Sequence, residues 1–402
     1  MVDFSGYQFR SDHAKTYHSS AEHKVVDLVS SGARRDQSID FTVRTQSRVS
    51  GLDVEHSWLH LVPHMKFLPR TLLCLFVLLC ARGESSAASA PSKIVLAYAS
   101  MVARTSFIWI AQEQGFFAKY GIDPELILIS RGPVLIAGLT SGHVHVGNTG
   151  GTAALNAAVG GIELKLVATF NSRWVNNVVA RSGIQSPKDL AKKRFGVSSF
   201  GGTQWMGTML WLEHLGLDAQ KDDIRFLVIG DQTLLAQGLE TGTIDAANLD
   251  SSFSRKLKQK GFSVLTDSTK ANLPIVSQGI VVTAEYLHKQ PRAVEGVLQA
   301  LIEGLAFTVA PANKALVLKT LVRKLGVMDS SALEEGYQEI LTGLDRKPYP
   351  SLEGMKNIQR LAKLREPRLG NVNVESLVDD GLMRRLDSSG FIDRVYGGYG
   401  IK

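Results

Sequence analysis

Two short segments could do chemistry through their backbone: Gly150-Gly151-Thr152 and Gly201-Gly202-Thr203. Each sets two glycines and a capping hydroxyl ahead of a helical stretch. Free N–H groups at a helix start, backed by the helix dipole, suit an anion. Glycine lets backbone come close to such a ligand. The same residues also make ordinary turns with an N-capping Thr. Their equivalent placement in the two halves of the chain favours ligand contact.

Other polar residues stand at comparable points. Ser100-Met101, Asn148-Thr149, Asn171 and Arg173 follow strands in the first half, and Gly230-Asp231 and Asn248-Leu249-Asp250 do so in the second. Arg173 could grip a carboxylate, sulfonate or phosphate with both arms, or rest in an ion pair between lobes. Asp250 could hold an amine, or cap the helix beginning near Ser252. Trp205, with Trp109, Phe107 and Phe200, could wall a pocket or fill a core. His143 and His145 alternate along one strand, but no third ligand is nearby, so no metal site is expected.

These residues need strands and helices to position them, and the chain alternates the two. Lys93 to Ala99, Leu126 to Ile129, Val144 to Asn148 and Leu164 to Phe170 read as strands. Helices over Ser106 to Glu113, Pro133 to Ser141 and Thr152 to Val159 separate them. A second set follows: strands Phe195 to Ser199, Arg225 to Ile229, Ile244 to Leu249, Val264 to Thr266 and Ser277 to Thr283. Its helices begin at Ser186-Pro187-Lys188-Asp189 and run over Thr203 to Leu215, Gln232 to Thr241 and Ser252 to Lys260. From Pro291 onward the pattern is almost all helical.

The two sets are related. Gly138 to Asn148 (GLTSGHVHVGN) matches Gly238 to Asn248 (GLETGTIDAAN) without a gap, at an offset of 100. Each copy ends a helix, stops at Gly and enters a strand that ends in Asn. A single repeat of this length means duplicated lobes, not a solenoid. In open α/β sheets, ligands bind beyond the carboxyl ends of the strands. Two such lobes facing each other make a cleft.

Composition narrows the chemistry. The 402 residues are 44% hydrophobic and 21% charged, with 37 Gly and a formal net charge of +7. That excludes wholesale disorder and a disulfide-stapled mini-protein. The 2 cysteines, Cys74 and Cys80, both lie in one apolar run after Met65. There Lys66 and Arg70 precede Thr71 to Ala81, and Ala88-Ser89-Ala90 follows, the layout of a secretory signal peptide over 65–90. The run is too short to span hydrocarbon, which takes about 20 residues. Lipid attachment at Cys80 is disfavoured by Leu79, where a small residue is needed. Residues 1–64 then read as an untranslated or disordered extension; they carry six of the 10 His. The mature chain lacks cysteine, hence any thiolate nucleophile or Cys-ligated zinc. No G-x-S-x-G, H-E-x-x-H or P-loop is present. Basic runs at Lys192-Lys193-Arg194 and Arg255 to Lys260 read as solvated faces, not as a nucleic-acid surface.

At this point the chain resembles a known family, the substrate-binding proteins of nitrate/sulfonate/taurine-type ABC importers, with SsuA-like members and relatives that bind thiamine-pyrimidine precursors. The resemblance rests on Ala111 to Ile122 (AQEQGFFAKYGI), like A-x-x-x-G-[FY]-F-x-x-x-G-[IL]. It rests also on the two G-L-x-[ST]-G copies, and on Ser186 to Leu190 with Phe195 to Ser198. It covers roughly residues 93–402. One departure is His145, where the family carries Asp; Asp245 keeps it in the second copy.

The resemblance implies an α/β, type II periplasmic-binding-protein fold: two lobes joined by two hinge strands, with a cleft between them. Lobe I would be 93–180 plus 275–402, and lobe II 181–274. It implies an exported, periplasmic, monomeric protein that captures a small molecule between lobes and delivers it to an ABC permease. No cofactor, no metal, no catalysis and no nucleic-acid partner are expected. The ligand-binding set is then Ser100, Met101, Asn148, Thr149, Gly150, Gly151, Thr152, Asn171, Arg173, Gly201, Gly202, Thr203, Trp205 and Asp250. The ligand is an anion, sulfonate, carboxylate or heteroaromatic. Two alternatives stay open: an enzyme on the same fold acting on a pyrimidine-like precursor, and a ligand-sensing partner of a membrane receptor.

Overall fold

The computed structural model describes residues 91–326 and 328–401. The expected extension over 1–64 and signal segment over 65–90 lie outside the described residues. Those that are described fall in one unit, Ser85–Lys402.

The first half opens with β1 (Ser92–Tyr98) and helices α1 (Ser106–Glu113) and α2 (Phe116–Lys119). Then come β2 (Ile122–Leu128), α3 (Gly132–Thr140), β3 (Val146–Thr149), α4 (Gly151–Val159) and β4 (Leu164–Arg173). The second half holds β5 (Asn177–Ala180), β6 (Arg194–Val197), α5 (Thr203–His214), β7 (Arg225–Val228), α6 (Gln232–Glu240), β8 (Ala246–Leu249), α7 (Ser251–Gln259) and β9 (Ser263–Val264). Strand β10 (Pro274–Thr283) returns to the first half. Helices α8 (Ala284–Lys289), α9 (Pro291–Val309), α10 (Lys314–Leu325), α11 (Ser330–Gly343), α12 (Leu352–Ala362), α13 (Gly381–Ser388) and α14 (Phe391–Gly398) complete it.

The strands form two five-stranded sheets of the same plan: β2-β1-β3-β10-β4 and β7-β6-β8-β5-β9. In each, the fourth strand in the order runs antiparallel and arrives from the other half. Strand β10 pairs with β3 and β4, and β5 with β8 and β9. The chain leaves the first sheet after Arg173 and enters the second at Asn177. Asn177–Ala180 is claimed by β8, whose exposed ladder it completes. The two crossings touch: the Trp174 N–H donates to the Leu273 carbonyl at 2.9 Å.

The repeat is visible in atomic detail. Gly142 and Gly242 both adopt left-handed φ, 77° and 76°, after their helices. Val144 N–H bonds the Gly138 carbonyl at 2.9 Å and Ile244 N–H the Gly238 carbonyl at 3.1 Å. This turn needs φ > 0, and glycine supplies it without a Cβ penalty. The offset of 100 extends past the matched residues, since α3 starts at Gly132 and α6 at Gln232, and α4 at Gly151 and α7 at Ser251. Elsewhere the helix expected from Ser186 is a single 3-10 turn, Pro187–Leu190. The Asp189 carboxylate closes that turn by accepting the Ser186 N–H at 2.8 Å, and Lys192 at φ 62° then redirects the chain into β6.

Two large cores hold the halves, with a smaller one around Leu235, Leu239 and Leu257 in the second half. One lies between the first sheet and α1 and α9, where Phe107, Trp109, Phe170, Leu298 and Leu305 are wholly buried. Each such side chain contributes about 1.5–3 kcal/mol from burial. The other core is shared by both halves. In it Met355, Ile358 and Leu361 of α12 join Trp205, Met206 and Leu210 of α5, with Trp174 from the crossing. Among the described residues no single helix is long and apolar enough to cross a membrane.

Candidate functional site

The two Gly-Gly-Thr turns meet, though not as equivalents. The α4 turn corresponds to Asp250-Ser251-Ser252 at α7, whereas Gly201-Gly202-Thr203 opens α5, the counterpart of α1. Their similarity in sequence is therefore not a product of the repeat. Across the junction Thr152 Oγ1 lies 3.0 Å from Thr203 Oγ1. A Cβ on Gly150 would collide with Thr203 Oγ1, and one on Gly151 would meet Met355 Sδ at 2.6 Å and Ile358 Cδ1 at 2.8 Å. These two glycines admit protein side chains of the opposing half and of α12. Gly202 would likewise press on Ser199 Oγ, at 2.5 Å, while Gly201 takes φ 72° to turn the chain.

A second cluster gathers at the carboxyl ends of the first sheet. Cross-strand register sets Gln278 opposite Asn171, Gly279 opposite Thr149 and Ile280 opposite Asn148. Gln278 Nε2 donates to Thr105 Oγ1 at 3.1 Å, and that hydroxyl donates to the Ser100 carbonyl at 3.0 Å. Asn171 Nδ2 donates to the Gly343 carbonyl. Asn148, Asn171 and Gln278 are all buried, and Asn148 Nδ2, Asn171 Oδ1 and Gln278 Oε1 have no hydrogen-bond partner. Native proteins satisfy nearly all such atoms, and here three fall on adjacent strands.

Arg104 stands beside this cluster in the 3-10 turn Ala103–Thr105. Only 6% exposed, it pairs through Nη1 with Glu339 of α11, and its Nε lacks a hydrogen-bond partner. Burial pushes its guanidinium down to about 10, opposed by the Asp250 carboxylate, so it stays charged at neutral pH. Asp250 caps α7, accepting the Phe253 N–H at 3.0 Å. Burial raises its carboxyl above the usual range, against that hydrogen bond and Arg104. Glu339 also reaches the second half, accepting the Ser251 N–H at 3.1 Å. One carboxylate thus faces both Arg104 and the amino end of α7.

The remaining candidates occupy varied places. Arg173 donates from Nη2 to the Thr342 carbonyl at 3.1 Å and faces Asp345, whose carboxyl is raised by burial. Thr149 is buried, and Met101 is 38% exposed at the mouth of the first strand-end loop. Trp205 is buried in the shared core, edge-on to Phe226 at 6.3 Å, with the Arg365 guanidinium over its ring and over Phe200. Trp109 and Phe107 are wholly buried; Phe107 stacks on Phe170 at 4.5 Å. His143 and His145 do not converge: His143 Nδ1 is 2.8 Å from Ser141 Oγ, and His145 Nδ1 accepts the Val95 N–H.

Arg104, Gln278, Thr105 and Glu339 escaped the reading of the sequence. Arg104 follows Ser100-Met101 by three residues, so the first strand-end loop held the signal. For Glu339 the signal was Gly336, Glu339 and Gly343 on one helix face, where small residues admit close neighbours. A Cβ on Gly336 would lie 3.2 Å from Ala103 Cβ, and one on Gly343 3.4 Å from Arg104 Cδ.

Twin α/β halves with exchanged antiparallel strands and a polar cluster at the strand ends define the type II periplasmic-binding fold. Solved structures share it. The alkanesulfonate-binding protein SsuA of Xanthomonas axonopodis pv. citri, bound to MOPS, superposes with a TM-score of 0.59 at 18% identity, covering 73% of this chain and 100% of that one. The periplasmic aliphatic sulphonate binding protein SsuA of Escherichia coli gives 0.57 at 20%, over 70% and 94%. The periplasmic nitrate-binding protein NrtA of Synechocystis PCC 6803 gives 0.60 at 13%, over 74% and 89%. Residues 103–315 match the family described as NMT1/THI5 like, and the chain belongs to that family. A Brucella abortus (strain 2308) protein, whose name goes no further than binding, is 31% identical over 146 residues. That match spans 36% of this chain and 44% of the relative, less than half of the latter's length. The relatives named here are binding proteins.

Proposed function

We propose that this chain is an exported solute-binding protein that captures a small molecule between its halves and hands it to an ABC permease. The observation that carries the reading is the trio of buried, unpartnered amide atoms on Asn148, Asn171 and Gln278, beside the unpartnered Nε of Arg104. A solute bridging them would satisfy atoms that otherwise destabilise the fold. Ser100, Met101, Thr149 and Arg173 border that place, and Gly150-Gly151-Thr152, Gly201-Gly202-Thr203, Trp205 and Asp250 belong to the junction that must open and close. The apolar run after Met65, flanked by Lys66, Arg70 and Ala88-Ser89-Ala90, supports export. The names of the similar structures, which speak of periplasmic and binding proteins, support capture outside the cytoplasm.

A partner with two like parts suits the surface. Leu128 and Val134 are exposed in the first half, and Val228 and Leu234 in the second, each pair 100 residues apart. They end the edge strands β2 and β7 and open the helices that follow.

The test is thermal unfolding of the full chain against a panel of small anions, carboxylates and heteroaromatics. A bound solute raises the midpoint by mass action, and Asn148→Ala with Gln278→Ala removes the rise. A panel-wide absence of any shift, with no change in tryptophan fluorescence, would refute capture.

A further inference from the structure

We infer that the strand-end cluster takes an uncharged, hydrogen-bonding solute and rejects anions, because the amino end of α7 beside it is filled from within by Glu339. This rests on the capture reading above. The amino end of α7 is where an anionic ligand would find free N–H groups. Ser251 N–H instead donates to Glu339 Oε2 at 3.1 Å. The amino end of α4 is closed by Thr203, whose hydroxyl meets Thr152 at 3.0 Å.

The cations are spent in the same way. Arg104 faces two carboxylates, paired with Glu339 and within electrostatic reach of Asp250. Arg173 is tied to the Thr342 carbonyl and faces Asp345. Two guanidiniums stand against three carboxylates, so an incoming anion would be desolvated without a counter-charge of its own. Burying a charge in that way is strongly unfavourable.

The unpartnered groups have the opposite character. Asn148, Asn171 and Gln278 are neutral amides, and between them they leave one donor, Asn148 Nδ2, and two acceptors, Asn171 Oδ1 and Gln278 Oε1, without a partner. Arg104 adds the Nε–H of a guanidinium whose charge is already balanced. Such a set recognises a molecule that offers both donors and acceptors and carries no net charge, as an amide or a nitrogen heterocycle does.

The experiment measures binding to the full chain by calorimetry and thermal shift. The probes are nitrate and ethanesulfonate on one side, cytosine and nicotinamide on the other. The wild-type chain is expected to bind an uncharged probe and neither anion. Glu339→Gln keeps the side-chain volume but frees Arg104, and is expected to bind ethanesulfonate or nitrate at least tenfold more tightly than wild type. Asp250→Asn, which retains an N-capping side chain, gives a second route should the first variant fold poorly. Nitrate or ethanesulfonate binding to wild type more tightly than either uncharged probe would overturn this inference and leave capture standing. So would two folded variants that gain no anion affinity. Failure of every probe on the wild type and on both variants would overturn capture as well.

Discussion

His145 and Asp245 perform one task at matched positions of the two halves. His145 Nδ1 accepts the Val95 N–H at 2.9 Å, and Asp245 Oδ2 accepts the Arg194 N–H, also at 2.9 Å. Each ties the residue before one strand, β3 or β8, to the neighbouring parallel strand, β1 or β6. In the second half Arg194 adds side-chain bonds to the same carboxylate, holding Asp245 below the usual carboxylate range. In the first half burial lowers the His145 ring below its ordinary value, which keeps it neutral and accepting.

The two halves should therefore loosen at different pH. A base whose folded pKa is depressed contributes fully above its unfolded value, about 6.5, and loses that contribution as pH falls below it. A carboxylate with a depressed pKa holds until the pH falls below about 4. His145→Asn retains an acceptor but does not titrate. The variant should gain on the wild type in unfolding free energy as pH falls from 7.5 to 5, by about 1 kcal/mol for one hydrogen bond, read by denaturant unfolding. A pH-independent difference would show that His145 is not the titrating group.

Gly150 is needed for space, not for conformation. Its φ of −73° is open to any residue, but the opposing Thr203 occupies the volume a side chain would take. Gly150→Ala should destabilise by about 1–3 kcal/mol and weaken solute-induced stabilisation. Thr203→Ala in the same chain should restore most of both. A double-mutant cycle by denaturant unfolding reads the coupling, and additive effects would show that the halves do not touch here.

Much of this architecture was legible because the repeat is local. The helix end, the glycine stop and the strand of Gly138 to Asn148 are set by neighbours a few residues apart, and their second copy confirmed the plan. The junction was less legible because its contacts are remote. Arg104 and Glu339 are 235 residues apart, and nothing near either names the other. The likeness of the two Gly-Gly-Thr turns misled for the same reason. Their true counterparts, Asp250-Ser251-Ser252 and the turn at Arg104-Thr105, share topology but not residues. Trp205 illustrates a further limit, since an aromatic beside a glycine turn reads alike whether it lines a pocket or packs under Arg365.

The halves are joined on one side by α12, through contacts of two kinds. Arg360 makes a paired bond to Glu213 of α5, at 2.7 Å from each nitrogen, yet both side chains are more than two-fifths exposed. Ile358, two residues away, is wholly buried in the shared core. Exposed pairs are worth about 0.2–1 kcal/mol, whereas emptying a core site costs about 2–5. Arg360→Gln should thus barely move the unfolding midpoint and Ile358→Ala should lower it markedly. Equal effects in chemical denaturation would mean that the ion pair, not the apolar seam, holds α12 in place.

The twin exposed residues bear on delivery, not on capture. Leu128 and Leu234 are 47% and 45% exposed, so replacing them removes no core packing, and surface changes of this kind usually alter stability by no more than about 0.5 kcal/mol. Leu128→Asp with Leu234→Asp should leave the solute-induced rise in midpoint intact. The same pair should abolish solute uptake by cells that depend on this chain, since each half loses the apolar contact it offers a two-part partner. Changing either residue alone should give an intermediate loss, because one half would still dock. Uptake at the wild-type rate by the double variant would remove this face from the permease contact. Loss of the thermal shift would instead place these residues in capture.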